Sequence, residues 1–164
     1  MKSNDDVALR TPVAADAAKF FHIFSDYDVM RFIGEGLLQD RTYYERFVER
    51  EASRARERGY CLQTLVVAGE VAGFAGIHEW DAPWGPTGEL EMGWRLGRKF
   101  WGRGIAYAAG RMILDSSQGS HLVAMVQTGN IRSEALATRL GFVAAEMYED
   151  PNGRTVHCYR NHPV

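Results

Sequence analysis

The sequence predicts a mixed α/β fold: a mostly antiparallel sheet with one central parallel strand–helix–strand crossover and helices on both faces. Three observations carry this. Glu89 to Leu96 alternates, with Leu90, Met92, Trp94 and Leu96 on one face and Glu89, Glu91, Gly93 and Arg95 on the other. A helical stretch from Gly102 to Gln118 separates it from Leu122 to Val126, which is apolar on both faces, as a covered parallel strand should be. Turn signals at Ala68-Gly69-Glu70 and Asp150-Pro151-Asn152-Gly153 mark antiparallel hairpins before and after that unit. The crossover from 89 to 126 is expected to be right-handed.

Taken in order, Val7 to Arg10 alternates weakly and reads as a first strand. Thr11-Pro12 offers a helix start, with Asp16 as a second candidate cap, and Phe20, Phe21 and Phe24 follow at helical spacing. After a turn at Gly34-Glu35-Gly36, Thr42 and Glu45 read as a capping box. The helix they open carries an apolar stripe of Tyr44, Phe47, Val48, Ala52 and Ala55 and ends at Gly59. Arg46, Arg50, Arg54 and Arg58 recur every four residues on another face, as a solvated face beside Glu45, Glu49 and Glu57 or as a guide for acidic substrates. Cys61 to Val67 and Val71 to His78 form a hairpin, and the prolines of Asp81-Ala82-Pro83-Trp84-Gly85-Pro86 forbid a central strand there. Asn130 to Leu140 is a helix with Ile131, Ala135, Leu136 and Leu140 in register. Phe142 to Tyr148 and Thr155 to Tyr159 close the chain as a hairpin.

Composition narrows the function classes. The 164 residues suit one domain, 1–164, long enough to bury a core without disulfides or metals. Nineteen basic residues against twenty-one acidic ones argue against nucleic acid or a membrane surface as partner. The longest aliphatic runs, such as Leu65-Val66-Val67-Ala68, fall far short of the ~20 residues of a membrane span. Met1 to Arg10 carries Asp5 and Asp6 and no apolar core, so it does not read as a signal peptide. Cys61 and Cys158 are far apart and outside any CxxC, which reads as two reduced thiols in a cytoplasmic protein. The histidines at 22, 78, 121, 157 and 162 show no metal-ligand spacing, so no metal is expected.

The most informative run is Lys99-Phe100-Trp101-Gly102-Arg103-Gly104-Ile105-Ala106, between a strand and a helix. Glycines at i and i+2 let backbone N–H groups turn toward one point, and a helix N-terminus adds unpaired donors and a positive dipole end. With Arg98, Lys99 and Arg103 this makes a pyrophosphate site; a plain strand-to-helix turn is the other reading. A dinucleotide fingerprint fits less well, because Tyr107 stands where a third small residue is needed and Gln127, not an acid, ends the next strand. There is no Walker A run and no Gly-x-Ser-x-Gly.

Together, Glu91-Met92-Gly93-Trp94-Arg95-Leu96, Lys99-x-x-Gly102-x-Gly104-x-Ala106, and Asn130-x-x-Ser133 followed by Arg139-Leu140-Gly141-Phe142 resemble the GNAT superfamily of acetyl-CoA-dependent N-acetyltransferases. The likeness covers nearly the whole chain and is greatest to the ribosomal-protein alanine and serine N-acetyltransferase branch. It implies acetyl-CoA as cosubstrate and a primary amine as acceptor, either a protein N-terminus or a small molecule. It sets Lys99, Gly102, Arg103, Gly104, Ile105 and Ala106 on the pyrophosphate, with Lys99 in place of the usual Arg or Gln. It sets Trp94, Arg95 and Leu96 on the pantetheine arm and the acetyl carbonyl, and Asn130 and Arg139 also on the cofactor. A homodimer stays open.

Two proton transfers are needed, one from the amine and one to the departing thiolate. The tyrosine that serves many members as acid is absent, since Ala137 holds its position. Ser133 matches the serine of the ribosomal-protein branch; the other reading is a helix-start hydroxyl bonded to backbone. Glu91 is a candidate base, with Glu89 on the same strand face to raise its pKa. His78 and water are the alternatives. The aromatic residues Phe20, Phe21, Tyr43 and Tyr44 read mainly as core, while Trp80 and Trp84 could line an acceptor groove. Because the tyrosine is missing, a non-catalytic coenzyme A-binding or regulatory module is the rival reading, and a nucleotide-binding protein is a weaker one.

Overall fold

A computed structural model describes residues 6–162. Met1 to Asp5, half of the stretch read above for a signal peptide, lie outside the described residues. The strands β1 (Val7–Arg10), β2 (Leu62–Val67), β3 (Glu70–Glu79), β4 (Leu90–Leu96), β5 (Leu122–Gln127), β6 (Val143–Glu149) and β7 (Thr155–Arg160) form one seven-stranded sheet. Its order is β1-β2-β3-β4-β5-β7-β6. Every neighbouring pair is antiparallel except β4 with β5, which the helix α4 (Ile105–Ser116) connects. The mixed sheet read from the sequence is the one found.

Each face of the sheet carries its own core. On one face α1 (Asp16–Phe24) and α3 (Arg41–Arg58) bury Phe20, Phe24, Tyr44 and Phe47 against Phe74 of β3. Phe20, Phe24 and Phe47 meet the Phe74 ring edge-on or tilted, 4.8 Å apart for Phe47, as their quadrupoles prefer, while Phe20 and Phe24 stack on each other at 5.6 Å. On the other face α4 and α5 (Ile131–Arg139) bury Ile105, Ala109, Ile113 and Leu136 against Met92, Leu96 and Ala124. Phe21 and Tyr43 lie at the surface, whereas Phe20 and Tyr44 are core.

Local details depart from the sequence reading for physical reasons. The cap of α3 is Asp40, which accepts from the Tyr43 N–H at 2.8 Å. Thr42 already lies inside the first turn, so it forms no capping box, and Glu45 pairs with Arg41 at 3.3 Å. The first helix begins at Asp16 rather than at Pro12. Asp16 is buried there and accepts from Arg10, the Val13 N–H and the Thr64 hydroxyl, binding β1, α1 and β2 together. A four-residue helix, α2 (Tyr27–Met30), has no counterpart in the sequence reading. The long helix is shorter than 102–118, because Gly102 and Gly104 both have left-handed φ, 71° and 75°. Arg54 bonds the buried Glu51 at 2.7 Å, and Glu51 also accepts from the Leu62 N–H at 2.9 Å, fastening α3 to β2. Cys61 and Cys158 are both free and buried, and burial pushes their thiols up to about 11 and about 12. Among the described residues no helix is long and apolar enough to cross a membrane.

Candidate active site

The sheet forks at its parallel pair. β4 and β5 are in register only at Leu90–Leu122 and Glu91–Val123. Beyond that point β3 holds β4 as far as Leu96, and β7 holds β5 as far as Gln127. The edge of β4 from Met92 to Leu96 therefore faces an opening instead of a strand; the Leu96 carbonyl accepts from the Trp101 indole N–H at 3.0 Å, and the outward backbone groups before it are open to an extended ligand. A cleft of about 770 Å³ follows this opening, lined by Trp94, Leu96, Phe100, Trp101, Gly102, Gly104, the start of α4 and the start of α5. That volume suits a large cofactor.

One end of the cleft is built for phosphate. Gly104 caps α4 in the left-handed conformation and offers no side chain to its amides. The first helical hydrogen bond runs from the Ala108 N–H to the Gly104 carbonyl, so the amides of Ile105, Ala106 and Tyr107 remain as donors at a positive dipole end. At Gly102 a side chain would meet nothing within 4 Å, which keeps the approach to the loop clear. Arg132 and Arg139 lie two helical turns apart on α5, stacked over Trp101 at 4.6 Å and Tyr107 at 4.5 Å, and both line the cleft. Stacking fixes each guanidinium without neutralising it. Arg132 was missed in the sequence; its seven-residue spacing from Arg139 is the signal that could have found it.

At the fork, Trp94 and Ser133 face each other. The Trp94 indole N–H donates to Ser133 Oγ at 3.1 Å. Asn130 is the N-cap of α5, and its side-chain oxygen accepts from the Ser133 N–H at 3.4 Å. The Ser133 oxygen is thus an acceptor for the indole, and no bond from its hydroxyl to backbone is found among the described residues.

Glu91 is buried, and both its oxygens are engaged: Oε1 with His78 Nε2 at 2.7 Å, and Oε2 as acceptor of the Met125 N–H at 3.1 Å. His78 and Glu91 are direct cross-strand partners in β3 and β4. The two candidate bases are therefore one pair. Glu89 is not its partner; both its oxygens accept from Arg160 at 2.9 Å, so the expected pair of carboxylates is replaced by a carboxylate and an imidazole. Beside this pair a second hollow of about 320 Å³ joins the cleft, and Trp94, Arg95 and Ser133 line both. Trp80 and Trp84, in edge-to-face contact at 5.0 Å, form part of its wall, with Tyr43 and Arg50.

Gly102, Gly104, Ile105, Ala106, Trp94, Leu96, Asn130, Ser133 and Arg139 thus gather on one cleft. Lys99 and Arg103 do not line it: Lys99 pairs with Glu70 at 2.6 Å, and Arg103 lies over Phe100. Arg95 points to the opposite face from Trp94, with its guanidinium over Phe24 and Phe74 at 5.3 and 5.0 Å. Burial holds that guanidinium below its ordinary range, against the opposing pull of Tyr43 and Tyr44.

The family model for the acetyltransferase (GNAT) domain matches residues 6–143. Among solved structures, a Bordetella pertussis protein described as of the GnaT acetyltransferase family superimposes with a TM-score of 0.80 at 22% identity, over 99% of this chain and 98% of that one. The microcin C7 self-immunity acetyltransferase MccE, solved with acetyl-CoA and AMP, matches with a TM-score of 0.75 at 17% identity, over 95% and 92%. RimL, the ribosomal L7/L12 α-N-protein acetyltransferase solved with coenzyme A, matches with a TM-score of 0.74 at 16% identity, over 94% and 93%.

Proposed function

The chain belongs to the acetyltransferase (GNAT) domain family, and from that premise we propose that it moves the acetyl group of acetyl-CoA directly to a primary amine in a ternary complex. One observation carries this reading: the sheet opens immediately beyond Glu91, between free helix-start amides at one end and the Ser133 hydroxyl and the His78–Glu91 pair at the other.

In this reading the amides of Ile105 to Tyr107, with Arg132 and Arg139, hold the pyrophosphate, and the open edge of β4 holds the pantetheine arm. The thioester then lies near Trp94 and Ser133. The amine enters through the second hollow and loses its proton to the His78–Glu91 pair. Its lone pair forms the new C–N bond, the C–S bond breaks, and the thiolate takes the Ser133 proton as the serine recovers one, through solvent, from the protonated His78–Glu91 pair. The indole N–H on Ser133 Oγ stabilises the resulting alkoxide character and keeps the serine proton turned away from Trp94.

Thermal unfolding with ligands tests the binding half. Acetyl-CoA at a hundredfold excess over its Kd should stabilise the fold by about 2.7 kcal/mol, and NADH or ATP at equal concentration should do little. A larger shift with NADH would contradict the assignment of the cleft.

A further inference from the structure

The Arg95 side chain has no use in the scheme above. Its Nε is fully enclosed and has no hydrogen-bond partner among the described residues. Among the described residues no carboxylate forms an ion pair with it, and the phenols of Tyr43 and Tyr44 are what oppose the effect of burial on its charge. Its guanidinium rests on two phenyl rings, and the residue lines the hollow beside His78 and Glu91. Arg95 as a whole is half-buried, and a partly desolvated cation without a counter-ion is costly unless something supplies the anion. The carboxylates of the same hollow cannot: Glu91 is held by His78 and the Met125 N–H, and Asp150 accepts from the Asn152 and Arg154 N–H groups. We propose that Arg95 binds an anionic group of the acceptor, which makes the acceptor a primary amine bearing a carboxylate, of the amino-acid class. This rests on the transferase reading above and names its substrate class.

Size, wall and charge agree. A hollow of about 320 Å³ has room for an amino acid. Trp80, Trp84 and Phe47 give it an aromatic wall for an apolar side chain. Arg50 is engaged with Glu51 at 3.2 Å, so Arg95 is the arginine of this wall that meets an incoming anion and opposes a cation placed beside it. A carboxylate on Arg95 leaves the amine of the same molecule for the His78–Glu91 pair and the thioester near Ser133.

The test uses the common α-amino acids and their carboxamides as matched acceptors, with spermidine as a polycation. Thiol release from acetyl-CoA is one readout; tryptophan fluorescence on binding to the protein with coenzyme A is the second. At least one free acid should exceed its carboxamide by roughly tenfold or more in kcat/KM and in affinity, because a site built for a polar group rejects the analogue lacking it. Arg95→Gln should erase that preference, and Arg95→Lys should retain part of it; the melting temperature of each variant checks its fold. Equal use of acids and carboxamides, preference for spermidine, absence of any acid that binds, or a preference surviving in Arg95→Gln would each overturn the proposal. The fluorescence readout separates the two claims: no thiol release with any amine, but acid binding that depends on Arg95, would defeat the transferase reading alone.

Discussion

A hydroxyl can donate only if its proton is uncommitted, and the Trp94 indole decides this for Ser133 by occupying the oxygen as an acceptor. Coenzyme A is a fair leaving group even as a thiolate, so the serine should help less than an acid beside an alkoxide. Ser133→Ala is expected to lower kcat by roughly 10- to 100-fold, or about 1.4 to 2.7 kcal/mol, with little change in acetyl-CoA affinity. Equal losses in affinity and in kcat/KM would instead make Ser133 a binding or helix-start residue. His78 and Glu91 share one hydrogen bond and should act as one unit. Glu91→Gln is expected to lower kcat by roughly 100-fold near neutral pH and to recover partly at high pH, where the free amine needs no base. Glu91→Gln combined with His78→Gln should cost about as much as the worse single change. Additive losses in the pH–rate series would assign the two residues separate roles. Glu91 and His78 were each legible in the sequence as a candidate, but their pairing was not. It depends on the register of β3 and β4, which the connection from Trp80 to Glu89 does not reveal.

Elements place these groups, and the start of α4 is the most exacting. Gly104 sits at φ 75°, where a β-branched residue is strained, and it immediately precedes the donor amides. Gly104→Val should therefore abolish the acetyl-CoA melting shift while circular dichroism stays near that of wild type; a full shift in the variant would place the pyrophosphate elsewhere. At the join of β1, α1 and β2, burial by itself would raise the Asp16 carboxyl, but the bonds from Arg10, Val13 and Thr64 outweigh it and hold it below its ordinary range. A carboxyl depressed on folding adds stability above its unfolded pKa, about 3.9, and loses it as pH falls through the folded value. The melting temperature of Asp16→Asn should consequently fall less steeply than that of wild type below about pH 4, and parallel curves would remove the cause. Elements set by local pattern were legible: the β2–β3 and β6–β7 hairpins, the alternation of β4 and the run of β5. Those set by competition were not. Asp40 displaced Thr42 as a cap because it stands in extended backbone two residues earlier, and α2 is too short to show a period.

For the whole molecule, the function follows from where the sheet stops being a sheet. β3 and β7 hold the two arms apart while α4 and α5 roof one face and α1 and α3 the other. Both faces meet at the fork, with Trp94 on the α4–α5 side and Arg95 on the α1–α3 side. The cleft and the hollow open to each other there, sharing Trp94, Arg95 and Ser133. No side chain in this arrangement need carry the acetyl group, because the donor and the acceptor can occupy adjoining spaces at once. Initial-rate kinetics with both substrates varied tests this most directly. Direct transfer predicts intersecting reciprocal plots and no rapid thiol release from acetyl-CoA until the amine is added. Parallel plots, with a stoichiometric burst of thiol and an acetylated protein in the absence of amine, would contradict it.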